Sequence, residues 1–90
     1  MIDECIRITD EERQDFHDLL DVAINKLESE KNRKKCHWYD LDLPMLRDMI
    51  LIESMELNYA VNHGLAVDIN TECDDIINIA MFIKHNLYRK

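Results

Sequence analysis

Four acidic residues stand where the surrounding pattern calls for apolar side chains. On a helix with about 100° per residue, Glu53 falls in the middle of an apolar stripe and Glu56 falls at its edge. The stripe consists of Leu46, Met49, Ile50, Leu57 and Ala60. An unpaired glutamate on a core-facing stripe is costly, and residues three apart are neighbours on a helix. Both carboxylates are therefore expected to point at one place where something pairs with them.

The next helical segment repeats this arrangement. Glu72 falls inside the stripe of Ile69, Ile76, Ile79 and Ile83, and Asp75 lies three residues later at its edge. A short antiparallel hairpin would bring the two acidic pairs together, and a divalent cation would relieve their repulsion. Oxygen ligands of this kind favour Mg²⁺, with Mn²⁺ as the alternative. The sequence thus predicts a metal site formed by Glu53, Glu56, Glu72 and Asp75; the competing interpretation is that all four are solvated on helix surfaces.

Composition favours a single small all-α domain over residues 1–90. Of the 90 residues, 47% are hydrophobic, and the chain has only one Gly and one Pro, so few long helices are expected. The net charge of −8 disfavours binding to nucleic acid or to an anionic membrane surface. The odd number of cysteines, three, indicates reduced thiols and a cytoplasmic location, which would be the host cytoplasm for a phage product.

About three helices are expected. Thr9 to Glu12 read as a capping box that starts the first helix, with a buried stripe formed by Phe16, Leu19, Leu20, Ala23, Ile24 and Leu27. Asp40 or Asp42 is predicted to cap the second helix, which should run to about residues 62–64 and end at Gly64. The predicted caps of the third helix, which runs nearly to the end, are Asp68, Asn70 or Thr71. The second and third helices should form a central hairpin.

The two acidic motifs resemble those of the MazG-like superfamily of all-α nucleoside triphosphate pyrophosphohydrolases. That superfamily carries EExxE on one helix and ExxD on the next. The corresponding stretches here are Ile52-Glu53-Ser54-Met55-Glu56 and Glu72-Cys73-Asp74-Asp75. The stretch from 72 to 83, and Trp38-Tyr39-Asp40-Leu41 ahead of the second helix, look like small phage and bacterial members. The resemblance covers roughly residues 38–87.

This resemblance implies Mg²⁺-dependent hydrolysis of a nucleoside triphosphate to the monophosphate and pyrophosphate, for nucleotide-pool house-cleaning. Glu53, Glu56, Glu72 and Asp75 match the family's metal ligands, and Glu53, deepest in its stripe, is also the predicted proton acceptor. Ile52 stands where the family has the first Glu of its motif. Its presence points to an alternative, a protein that binds or sequesters nucleotides without cleaving them.

Three further residues are predicted to contact the substrate, each with a structural alternative. Trp38 would stack on the base, or would plug the top of the hairpin. Asn78 would hydrogen-bond the substrate or a partner chain, or would be an exposed polar residue. Lys84 would contact phosphate, or would be solvated.

The resemblance also implies a homodimer or a dimer of dimers. A second apolar edge on the second helix, formed by Ile52, Met55 and Tyr59, agrees with this because a helix with two apolar sides is buried on both. The expected fold is therefore an all-α hairpin domain in an oligomeric bundle. A helical protein-interaction module with solvated acids is the remaining alternative.

Overall fold

The first helix begins where the capping box predicts. In a computed structural model that describes residues 7–34 and 41–88, with side chains for 7–29 and 41–88, α1 spans Asp10–Lys34. The backbone N–H of Thr9 donates to Oε1 of Glu12 at 3.0 Å, and the N–H of Glu12 donates to Oγ1 of Thr9 at 3.1 Å. These reciprocal bonds satisfy two donors that a helix start would otherwise leave unpaired. The backbone bond from Thr9 is the main reason why the pKa of Glu12 is lowered.

The second helix, α2, spans Leu43–Asn62 and ends in a Schellman turn. Asp42 is its N-cap, because the Asp42 carboxylate accepts a hydrogen bond from the N–H of Met45 at 2.9 Å. At the other end, the N–H of Leu65 donates to the carbonyl of Ala60 at 3.0 Å. Gly64 has φ of +65°, the left-handed conformation that this turn requires and that glycine adopts without strain. The prediction that Gly64 ends this helix is confirmed.

The third helix, α3, spans Ala66–Tyr88 and starts earlier than predicted. Its first backbone bond runs from the N–H of Ile69 to the carbonyl of Leu65 at 2.9 Å. The predicted caps were wrong, since Asp68 lies in the first turn and Asn70 and Thr71 lie further inside the helix. The Schellman turn already reverses the chain direction, so α3 begins at once without a side-chain cap. Asp68 still favours the helix start through its charge.

The described residues thus form three helices and no strand, and α3 is central because both α1 and α2 pack against it. Leu46 of α2, only 1% exposed, packs with Ile79 and Phe82 of α3 to form the core. Around it lie the partly buried residues Leu27, Leu41, Ile50 and Ile83. The expected all-α architecture with a central hairpin is confirmed for this part of the chain.

The apolar stripe of α1 is buried only in part. Ala23 is fully buried, and its carbonyl accepts a hydrogen bond from Nδ2 of Asn78 at 2.9 Å. Phe16 and Leu19, which were predicted to be buried, are exposed. The reason is that α1 packs against a single neighbour, α3, in the described chain, so only a narrow strip of its surface is covered.

Replacing Leu46 with alanine should destabilise the protein by about 2–5 kcal/mol, because the change leaves a cavity in the core that the rigid hairpin cannot fill. Denaturant unfolding followed by circular dichroism measures the change. Leu19→Ala is the matched control, since its side chain is already exposed, and it should change stability by no more than about 0.5 kcal/mol. Equal losses in the two variants would contradict this account of the core.

No described helix has the length and apolar character needed to cross a membrane.

Candidate metal centre

Three glutamates meet on one side of the α2–α3 hairpin. Glu53 and Glu56 lie three residues apart on α2, and Glu72 projects from α3. One carboxylate oxygen from each lies within 4.8 Å of the corresponding oxygens of the other two. The tight turn between the helices sets the register that brings Glu72 opposite the α2 pair. Three of the four predicted ligands therefore form a cluster, which is called the glutamate cluster below.

Two oxygens of the glutamate cluster lack a hydrogen-bond donor. Oε2 of Glu53 and Oε2 of Glu72 are both buried and accept no hydrogen bond. An ionised carboxylate can only accept, and a buried acceptor without a donor is unfavourable. Glu56 is exposed, so the cluster is open to solvent on that side. Closely spaced hard oxygen atoms, two of them unpartnered, fit the requirements of Mg²⁺ or Mn²⁺.

The carboxyl groups of the cluster perturb one another. The pKa of Glu72 is raised above its ordinary value of 4.5, mainly because its carboxyl group is close enough to Glu53 to hydrogen-bond in the protonated form, with burial adding to the shift. Hydrogen bonding and repulsion from Glu72 likewise raise the pKa of Glu56. Both shifts favour a bound proton, and a cation in the same place would relieve the same repulsion.

Asp75, the fourth predicted ligand, has a different partner. Its Oδ1 lies 2.9 Å from Nζ of Lys26, which comes from α1 and also donates to the carbonyl of Thr71 at 3.3 Å. Asp75 does not belong to the group of mutually close oxygens, but its charge still contributes to the raised pKa values of Glu56 and Glu72. Asp75 therefore lies beside the cluster and is paired with a lysine.

Lys26 was not predicted from the sequence. A lysine on an amphipathic helix is normally expected to be solvated. Its partner Asp75 is also 49 residues away along the chain, too far for a local pattern to indicate the contact. One signal was present, because Lys26 lies three residues after Ala23 and next to Leu27, both of which belong to the apolar stripe. Lys26 is thus a charged residue beside an apolar stripe, as are the four acids predicted on the other two helices.

The remaining residues that were predicted to contact the substrate do not belong to the glutamate cluster. Asn78 is buried rather than exposed, and its Nδ2 bonds to α1. Lys84 is exposed on α3. Trp38 lies outside the described residues. Ile52, which directly precedes Glu53, is 54% exposed on α2.

The raised pKa values predict how stability depends on pH in the metal-free protein. A carboxyl group whose pKa is raised by folding contributes stability that is fully present below its unfolded pKa and is lost as pH rises through its folded pKa. The contribution of Glu56 and Glu72 to the free energy of unfolding should therefore decline as pH increases above about 4.5. In the presence of a chelator, denaturant unfolding at pH 5 and pH 7 should show this decline in the wild type, and Glu72→Gln should show a smaller one. An unchanged pH dependence in Glu72→Gln would argue against the coupling.

Comparisons with known proteins identify no relative of this chain. No family model, no curated protein and no solved structure matches it.

Proposed function

We propose that this protein is a Mg²⁺-dependent nucleoside triphosphate pyrophosphohydrolase that converts a ribo- or deoxynucleoside triphosphate to its monophosphate and pyrophosphate. Its biological use would be house-cleaning of the nucleotide pool. The observation that carries the proposal is the glutamate cluster, in which two buried oxygens have no hydrogen-bond donor. The spacing of these acids in the sequence, which resembles the MazG-like motifs, supports the same activity.

The residues of the site have separable roles in this proposal. Glu53, Glu56 and Glu72 would hold Mg²⁺, and Asp75, three residues after Glu72 on α3, would join them. When bound, Mg²⁺ neutralises phosphate oxygens and lowers the pKa of a water molecule. Glu53, half-buried with one unpartnered oxygen, accepts the proton as the water oxygen attacks the α-phosphorus. The bond from that phosphorus to the bridging oxygen breaks, and pyrophosphate leaves.

Three further residues would contact the substrate. Trp38 would stack on the base. The exposed side chain of Lys84 can swing towards a phosphate. Asn78 would offer only its side-chain oxygen to the substrate, because its Nδ2 already donates to the carbonyl of Ala23.

A second candidate function is nucleotide binding without turnover, and Ile52 favours it. The family motif that this sequence resembles has a glutamate at that position, and an exposed isoleucine cannot bind a metal or orient a water molecule. A protein with this cluster but without that carboxylate would hold a nucleotide with its metal and release it unchanged. The two functions differ in a single observable, the formation of product.

The apolar surface of α2 supports a homodimer or a dimer of dimers. Met55 is 73% exposed, and Ile52 and Tyr59 on the same side are more than half exposed. Met55 and Tyr59 also line an open groove of about 530 Å³. Its lining residues are Leu51, Ser54, Met55, Asn58, Tyr59 and Asn62. Exposed apolar side chains that lie close together commonly mark an interaction surface. Size-exclusion chromatography with light scattering measures the oligomeric state, and a stable monomer at micromolar concentration would count against this part of the proposal.

The deciding experiment incubates the protein with each ribo- and deoxynucleoside triphosphate in the presence of Mg²⁺ or Mn²⁺. Chromatography follows the nucleotide products, and calorimetry measures binding. Monophosphate together with pyrophosphate, formed from one or a few nucleotides, would establish the enzyme and its substrate. Tight binding without product would establish the sequestering protein. Neither binding nor product would leave a helical protein-interaction module as the function.

A further inference from the structure

Lys26 is the only described residue of α1 that forms an ion pair with a predicted metal ligand. Its Nζ contacts two groups one turn apart on α3, the Asp75 carboxylate at 2.9 Å and the Thr71 carbonyl at 3.3 Å. The lysine and aspartate side chains are only 25% and 29% exposed. The contact is therefore partly shielded from water and is less weakened by solvent than a surface ion pair.

The ammonium group of Lys26 places a positive charge on Asp75, the acid that lies beside the glutamate cluster. Asp75 belongs electrostatically to the glutamate cluster, because its charge contributes to the raised pKa values of Glu56 and Glu72. The same carboxylate accepts from Lys26 and so has one oxygen occupied. A divalent ion that uses Asp75 must either share that carboxylate with Nζ or displace it.

We propose that Lys26 is a built-in counter-cation of the acidic site, which holds Asp75 in the metal-free protein and competes with a divalent ion for it. The inference depends on the proposed metal site and adds a regulatory element to it. Lys26 is a positioning residue in this account, because it acts through Asp75. The ion pair stabilises the empty site, and the affinity for the divalent ion is lower as a result.

Calorimetric titration with Mn²⁺ alone, without nucleotide, tests the proposal. Lys26→Gln removes the charge but keeps an amide donor for the Thr71 carbonyl, and it should bind Mn²⁺ about fivefold more tightly than the wild type, the upper end of what one partly exposed ion pair contributes. Lys26→Arg keeps the charge and should bind Mn²⁺ as the wild type does. Arg13→Gln, on the same helix and about 20 Å away along its axis, removes the same charge and should leave the affinity unchanged.

A double-substitution experiment identifies Asp75 as the shared partner. Asp75→Asn keeps the three glutamates and removes the carboxylate for which the two cations compete. In this background Lys26→Gln should give no further gain in Mn²⁺ affinity, because coupled residues lose their interaction when either one is changed. Circular dichroism spectra and melting curves of each variant confirm that it is folded before it is titrated.

Several results would overturn the inference. If Lys26→Gln folds and yet binds Mn²⁺ with wild-type affinity or more weakly, Lys26 is a purely structural contact between α1 and α3. If Lys26→Gln raises the Mn²⁺ affinity by the same factor with and without the Asp75 carboxylate, the lysine acts through a general electrostatic effect and does not compete for Asp75. Absence of Mn²⁺ binding in the folded wild type would overturn the proposed metal site together with the inference, whereas the first two results would leave the metal site in place.

Discussion

Replacing Glu56 with glutamine should reduce the proposed Mg²⁺-dependent nucleotide turnover by roughly 100-fold or more, since loss of even an outer contact of a metal ligand often costs 10- to 100-fold. Glu56 is the exposed member of the glutamate cluster, so the change removes a ligand charge and leaves the core untouched. Initial rates of pyrophosphate release at saturating Mg²⁺ measure the effect. Circular dichroism should show unchanged helix content.

Asp48→Asn is the matched control for this experiment. Asp48 is an exposed acid on the same helix, and its described ion pair is with its neighbour Arg47 at 3.1 Å. It should retain full turnover, which would separate the role of the cluster from the general effect of removing one negative charge from α2. If Glu56→Gln turns over nucleotide as fast as Asp48→Asn does, the site lies elsewhere.

Replacing Glu72 with glutamine should have opposite effects on stability with and without metal. In the metal-free protein the substitution removes a carboxyl group whose pKa is raised mainly by its hydrogen-bonding contact with Glu53, and further by burial and by repulsion from Glu53 and Asp75. The variant should therefore melt at a higher temperature than the wild type. With a divalent ion at about 100 times its Kd, the wild type should gain about 2.7 kcal/mol. For a domain of this size that corresponds to an increase in Tm of roughly 10–20 °C, and the variant should lose most of it.

Differential scanning calorimetry in a chelator and in excess Mn²⁺ measures all four melting temperatures. Glu12→Gln is a useful contrast, because Glu12 belongs to the capping box of α1. It should lower Tm both with and without Mn²⁺ and leave the Mn²⁺-induced increase intact. A wild-type Tm that does not respond to Mn²⁺ would be incompatible with the metal site.

The helices could be predicted from the sequence where short-range chemistry determines them. The Thr9–Glu12 capping box, the Asp42 cap and the Gly64 turn each depend on groups within a few residues of one another, and all three are present. The start of α3 was predicted too late because hydrogen bonds between backbone groups, rather than a side-chain cap, form the turn before it. Nothing in the side chains at Leu65 and Ala66 marks a helix start.

The glutamate cluster was predictable for a related reason. Helical periodicity alone places Glu53 and Glu72 on core-facing stripes, and a short link allows the two stripes to meet. The pairing of Asp75 with Lys26 was not predictable in this way, because it depends on how α1 lies across α3. The burial of Asn78 has the same origin, since its partner Ala23 is 55 residues distant in the chain. Contacts made by α1 are therefore the part of the site that local patterns do not reveal.

The Schellman turn between α2 and α3 has a consequence for changes in chain length. Only residues 63–65 separate the two helices, and their backbone bonds fix where α3 begins. Insertion of one residue there would move each side chain of α3 by about 100° around the helix axis relative to α2. Glu72 would leave the glutamate cluster, and Ile79 would leave the core at the same time. The core and the glutamate cluster therefore depend on the same rotational register of α3. A change in the length of this link alters both together.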